Sequence, residues 1–349
     1  MGGDGLKALL SSVRYEVLPA KTTEEKVLAH VPRDVVVTVT ASPVKGLEPT
    51  LDLVGRLAAH GYRVVPHVPA RLLRDDAHLK DVVDRLGETG VDDVFVPAGD
   101  ADPPAGAYDG ALPVLRRLGE LGSPFAHVGI TGYPESHPLI HDDLTIQAMW
   151  DKRAHATYIV SNLCFDARVL GEWVGRIRRR DVTLPLYVGV AGPVQRAKLL
   201  AMATKIGVGE STRFLTKHAS WFLRFAAPGG YSPDRLLARS AGALTVPSAG
   251  VAGLHVFTFN QLAETERWRR AALKAWGTPS GVVVGRRRPP AFGREVPPPR
   301  RRPPPPCSRT RQTPLTCAYE PPPLSSDPIR RTGPSRMRQR SGAVRHRGS

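Results

Sequence analysis

Short apolar runs alternate along the first 277 residues with longer stretches in which apolar positions recur every three to four residues. The short runs are Val13–Leu18, Val35–Thr40, Arg63–His67, Asp93–Pro97, Phe125–Ile130, Thr157–Asn162, Pro185–Val190 and Leu254–Thr258. Most are continuously apolar, as parallel strands covered on both faces should be. The longer stretches read as amphipathic helices over Leu51–His60, Asp75–Gly87, Gly110–Leu121, Asp142–Ala156, Asp166–Arg180, Val194–Ile206 and Gln261–Trp276. In the first of these, Leu51, Val54, Leu57 and Ala58 share one face and Gly61 supplies a stop. Two further helices are expected within residues 210–242. Eight such strand–helix units in about 265 residues match a (β/α)8 TIM barrel. A doubly wound open sheet is the alternative, but no strand is followed by G-x-G-x-x-G and no switch-point loop is evident.

Composition changes the picture at one end. Residues 278–349 carry 16 Arg, no Lys and 3 acidic residues, so 13 of the 17 net positive charges sit there, together with 16 of the 34 prolines. Few apolar residues and no period mean that this segment cannot bury enough surface to offset its ordering entropy. The expected organisation is a catalytic barrel over 1–277 and a disordered Pro/Arg-rich tail over 278–349. The barrel segment alone is close to neutral, which argues against nucleic acid as its partner. No apolar run reaches the ~18 residues of a membrane span. The start of the chain has no secretory pattern, and three cysteines are too few for a disulfide framework, so a cytoplasmic location is expected. The oligomeric state is left open.

In a barrel the chemistry sits at the C-terminal ends of the strands. Polar residues collect there: Glu16, Thr40, His67, Gly99-Asp100, the run Tyr133 to Pro138, Asn162, Thr258 and Asn260. Glu16 stands out because it lies inside an apolar strand. A carboxyl desolvated there tends to hold its proton, which suits a general acid, whereas an outward-facing Glu paired with a base would be merely structural. Asp100 in PAGD equally fits turn chemistry. His137 and His141 have helical metal-ligand spacing, but Pro138 breaks the register and no third ligand is apparent, so no metal is expected. The stretch from Gly207 lacks the Lys of a phosphate loop. Cys164 reads as a small core residue.

These strand ends resemble the methylenetetrahydrofolate reductase family. The resemblance is carried by Tyr15-Glu16-x-x-Pro19, Val39-Thr40, Pro66-His67, Gly99-Asp100, the run Tyr133-Pro-Glu-Ser-His137-Pro138, Lys152, the altered Ser161-Asn162-x-x-Phe165-Asp166, and Gly250-x-x-Gly-x-His255-x-x-Thr258-x-Asn260. It implies a flavoprotein that takes hydride from NADH or NADPH onto FAD and reduces 5,10-methylenetetrahydrofolate to 5-methyltetrahydrofolate. By carry-over, Glu16 and Asp100 are catalytic. Thr40, His67, Gly99, Tyr133, His137 and Lys152 hold FAD, and Asn162 binds the folate pterin. Departures at Asn162, Ala98, Thr145, His155 and Gln261 suggest a divergent branch. The alternative within this reading is a tetrahydrofolate-dependent one-carbon transferase or demethylase on the same barrel.

Overall fold

The computed structural model describes residues 2–135, 140–193 and 233–276. His137, the helix expected over Val194–Ile206, the stretch from Gly207 and the tail lie outside them. Eight parallel strands form the sheet: β1 (Val13–Val17), β2 (Val36–Val39), β3 (Val64–Pro66), β4 (Asp93–Phe95), β5 (His127–Gly132), β6 (Tyr158–Ser161), β7 (Leu186–Ala191) and β8 (Val251–Phe257). Their order is β3-β2-β1-β8-β7-β6-β5-β4. A parallel bridge between His67 and Phe95 joins the two ends, with Val68 N–H donating to Phe95 O at 2.8 Å. The result is a (β/α)8 barrel, as expected. Among the described residues no helix is long and apolar enough to cross a membrane.

The helices are α1 (Gly2–Ser11), α2 (Thr23–His30), α3 (Glu48–Ala59), α4 (Asp76–Glu88), α5 (Ala111–Glu120), α6 (Asp142–Lys152), α7 (Ala167–Arg179), α8 (Pro233–Leu244) and α9 (Leu262–Trp276). Side-chain caps fix three of their starts, that of α6 through His141. Asp75 accepts from His78 N–H at 2.7 Å, and Asp166 accepts from Arg168 N–H at 2.9 Å. Two helices, α1 and α2, were not expected from the pattern. Three glycines weaken the helical propensity of α1, yet Leu6, Leu9 and Leu10 are buried. Packing explains Gly5: a Cβ there would stand 2.6 Å from Thr245 Cβ, just past the end of α8. The close approach supplies in tertiary contact what propensity lacks. α2 is short, and of its residues only Thr23 and Val27 are buried.

Alternation along each strand divides the core in two. One face packs under the helices; Tyr15 points this way, its hydroxyl donating to Glu266 of α9 at 2.8 Å. The other face fills the barrel, where Val65, Phe95, Tyr158 and Val160 form a separate apolar cluster with Val36 and Tyr187. Arg14 is buried on this inner face. Its Nη1 donates to Asp93 Oδ2 of β4 at 3.0 Å, and its guanidinium carbon lies 4.1 Å from the ring centres of both Tyr158 and Tyr187. Tyr158 donates to the other Asp93 oxygen at 2.7 Å.

A buried ion pair is costly to break from one side, because the surviving charge is left uncompensated. Arg14→Met is expected to destabilise the chain by about 3–5 kcal/mol, and Arg14→Met/Asp93→Asn by clearly less. Urea unfolding checks this; equal losses in the two variants would contradict it.

Candidate active site

β1 carries Glu16 on the inner face, two residues beyond Arg14 and towards the strand's C-terminal end. Thr258 and Asn260, just beyond β8, pin that end. Thr258 Oγ1 donates to Glu16 O at 2.6 Å, Leu18 N–H donates to Asn260 Oδ1 at 2.8 Å, and Asn260 Nδ2 donates to Leu18 O at 3.0 Å. The polar groups of Thr258 and Asn260 are thus engaged within the fold, Asn260 Nδ2 also donating to Thr23 Oγ1 at 3.0 Å.

Glu16 meets two histidines. His255 Nε2 of β8 lies 3.0 Å from Glu16 Oε2, and His67 Nε2, just past β3, lies 4.0 Å from the same oxygen. The His255 side chain is 1% exposed, His67 10% and Glu16 15%, so the carboxyl is the most accessible of the three. The rings of Phe95 and Phe257 stand edge-on to His67 and His255 at 4.7 and 4.9 Å. Thr38, the β2 partner of Glu16, is buried, and its hydroxyl has no hydrogen-bond partner among the described residues.

Burial sets the protonation states. It pushes the Glu16 carboxyl up to about 7, against a small opposing pull from His67. It pushes His67 down to about 4 and His255 down to about 3, the latter helped by the charge of Arg14. At neutral pH both imidazoles are therefore uncharged, and the carboxyl is poised to gain or lose a proton.

A carboxylate with two neutral imidazoles is also a metal-ligating set, and the three ligand atoms lie within 4.8 Å of one another. A metal-bound imidazole normally donates its other N–H to an oxygen. His255 Nδ1 is buried without any such partner. Among the described residues His67 Nε2, one of the three ligand atoms, is likewise buried without a hydrogen-bond partner.

The remaining residues singled out from the sequence are spread around the barrel. Asp100 is exposed on the loop after β4, near enough for its charge to act on the Tyr133 phenol beyond β5. Gly99 has φ +90°, and a Cβ there would meet Pro69 Cβ at 2.7 Å, so it serves a close turn. Thr40 is half-buried, its N–H donating to Val17 O and its carbonyl accepting from Thr50 Oγ1. Asn162 follows β6 and folds its side-chain oxygen back to Leu163 N–H at 2.8 Å. Lys152 is buried on the last turn of α6, the end that leads back towards the start of β6, and burial pushes its ammonium down to about 8. His141 caps α6, its Nδ1 accepting from Asp143 N–H at 3.3 Å. Cys164 is a core thiol pushed up to about 12 by burial and by Glu135. In the sequence His255 stands out only within the Gly250–Asn260 motif, and Thr38, Arg14 and Asp93 belong to no motif. The polar–apolar alternation of Val13-Arg-Tyr-Glu-Val17 carried the signal for Arg14.

Comparison with known proteins corrects the family assignment. No family model matches the chain. Solved structures that align with it include a protein from Burkholderia cenocepacia J2315 provisionally described as a lyase/mutase, at 16% identity and TM-score 0.42, covering 79% of this chain and 84% of that one. The C-terminal domain of a provisionally described chitinase from Desulfitobacterium hafniense DCB-2 aligns at 13% identity and TM-score 0.46, covering 76% and 98%. An oxaloacetate acetylhydrolase aligns at 13% identity and TM-score 0.46, covering 81% and 91%. None of these three is a methylenetetrahydrofolate reductase, and at this level of likeness none of their activities passes to this chain.

The resemblance is withdrawn, and with it the reduction of methylenetetrahydrofolate, the one-carbon transferase alternative, FAD and NAD(P)H. The physical reason is that a barrel gathers polar residues at its strand ends whatever its reaction. Several of the matched positions serve the fold. Glu135 accepts from Phe165 and Asp166 N–H at 2.7 and 3.0 Å. Asp142 and Asp143 of α6 pair with Arg176 of α7 and with Arg180 just past its end.

The raised Glu16 value has a consequence for stability. Unfolded, the carboxyl ionises near 4.5; folded, near 7. Between those values the folded chain holds the extra proton, so ionisation increasingly disfavours folding up to pH 7. The histidines act oppositely, costing stability as pH falls below 6.5. Glu16→Gln is therefore expected to match the parent near pH 4.5 and to exceed it by up to roughly 3 kcal/mol above pH 7. Urea midpoints across this range check it; a difference independent of pH would contradict it.

Proposed function

We propose that this chain is an enzyme in which Glu16 delivers a proton to a small polar substrate bound in the barrel mouth. The observation that supports the reading is the placement of this carboxyl, at the C-terminal end of β1, against two buried imidazoles and more open than either. A proton donor works best when its pKa lies near the working pH, and burial brings Glu16 to about 7. Low-dielectric walls from Phe95 and Phe257 strengthen any charge that develops there. The reaction class that fits is cleavage or isomerisation in which an oxygen or nitrogen of the substrate takes up a proton as a bond to it breaks. In this reading His255 holds the carboxyl in place, and Asp100, Tyr133 and Asn162 orient the substrate from the ends of β4, β5 and β6.

The test begins with compounds that raise the melting temperature of the intact chain, which are then assayed for turnover. Glu16→Gln is expected to lower kcat by about 10²–10⁴-fold. The parent rate should be flat below pH 7 and fall above it, and the break should vanish in Glu16→Gln. A break that survives the substitution would sink the assignment.

A further inference from the structure

Arg14 is buried, charged and unused by the proton transfer just described. Three observations connect it to the site. It is the Cα partner of His255 across the β1–β8 pair, and both side chains lie inside the barrel. Among the described residues its Nε and His255 Nδ1 are each buried without a hydrogen-bond partner. Its charge acts on the His255 ring. It cannot swing away, since Asp93 holds Nη1 and two tyrosine rings sandwich the guanidinium.

We infer that Arg14 is a positioning residue that fixes the tautomer of His255, with the hydrogen on Nε2 and the lone pair on Nδ1. A neutral imidazole has one N–H and one lone pair, and its surroundings choose between the two arrangements. An N–H on Nδ1, the ring nitrogen that Glu16 does not engage, would be opposed by the field of the fixed cation on the neighbouring strand. Placing the lone pair there is attractive. The other groups around the ring do not reverse the choice. Glu16 Oε2 accepts equally well from an Nε2–H. His67 is neutral, with ring centres 6.3 Å apart. Phe257 is apolar, and the β7 partner is Gly189. Asp93 is occupied by Arg14 and the Tyr158 hydroxyl.

The consequence lies at Glu16, and this part rests on Glu16 being the proton donor. With His255 donating to Oε2, the carboxyl proton belongs on Oε1, which has no hydrogen-bond partner among the described residues. There it is free for a substrate. In the opposite tautomer the Glu16 O–H would be consumed in a bond to Nε2. The inferred tautomer also leaves no lone pair on Nε2 for a metal ion. The buried pair at the base of the barrel thereby decides which oxygen can deliver a proton.

The test is long-range ¹H–¹⁵N correlation of the histidine rings in the full-length ¹⁵N-labelled chain at about pH 5.5, where Glu16 holds its proton and both imidazoles are neutral, with His255→Gln assigning the signals. The expected result is a single neutral tautomer with Nε2–H. In Arg14→Met/Asp93→Asn, which removes both charges together, both tautomers should become populated. Arg14→Gln/Asp93→Asn is the second variant if the first does not fold. An Nδ1–H tautomer in the parent, or a pure Nε2–H tautomer in a folded double variant, would overturn the inference. Neither readout uses turnover, so the inference can fail while Glu16→Gln still abolishes activity, and the reverse.

Discussion

A charged pair crosses the inside of the barrel, and the arrangement above it depends on that pair. Arg14 of β1 and Asp93 of β4 sit where most small barrels place branched apolar side chains. Removing two charges from water costs several kcal/mol each, which close pairing and hydrogen bonds must repay. Here the cost is offset from four strands: Asp93 receives Arg14 and the Tyr158 hydroxyl, and the guanidinium lies between the faces of Tyr158 and Tyr187. The pair closes the interior below Glu16 and ties β1, β4, β6 and β7 together.

Above this floor lies a carboxyl surrounded by groups that are polar yet uncharged. Glu16 has His255 at 3.0 Å and His67 at 4.0 Å, both kept neutral by burial, and Thr38 beside it. A cation in direct contact would hold the carboxyl ionised. Instead the Arg14 charge is paired with Asp93, and desolvation governs Glu16. Backbone pinning by Thr258 and Asn260 keeps the strand end from relaxing towards water. Rigidity of this kind is what holds a reacting group in place.

The barrel was readable because parallel strands buried on both faces announce themselves as short apolar runs; all eight expected runs coincide with strands to within a few residues. What the runs concealed was orientation. In Val13–Val17 the inward residues are Arg14 and Glu16, and the outward ones are Val13, Tyr15 and Val17. A period of two was present, but the residues turned inward are the polar ones, against the usual expectation. α1 was missed because its glycines weaken propensity while permitting contact with Thr245. At the site, Glu16 and His67 could be picked out from their strand ends. His255 could not be weighted without knowing that β8 lies beside β1. Other polar residues beyond the strand ends hold the fold: Glu135 accepts from backbone N–H groups, and Thr258 and Asn260 pin the end of β1. Residue types shared by many barrels at these positions carried the family resemblance further than their roles in this fold allow.

The central claim is that Glu16 keeps its proton to near neutrality inside this barrel. It is tested most directly by labelling the glutamate side-chain carboxyl carbons with ¹³C and following their shifts with pH. Glu16→Gln identifies the signal. The account predicts one glutamate with a midpoint near 7, well separated from the others, that disappears in the variant. A Glu16 signal that titrates with the ordinary carboxylates near 4.5 would contradict the account and remove the basis for proton delivery at this site.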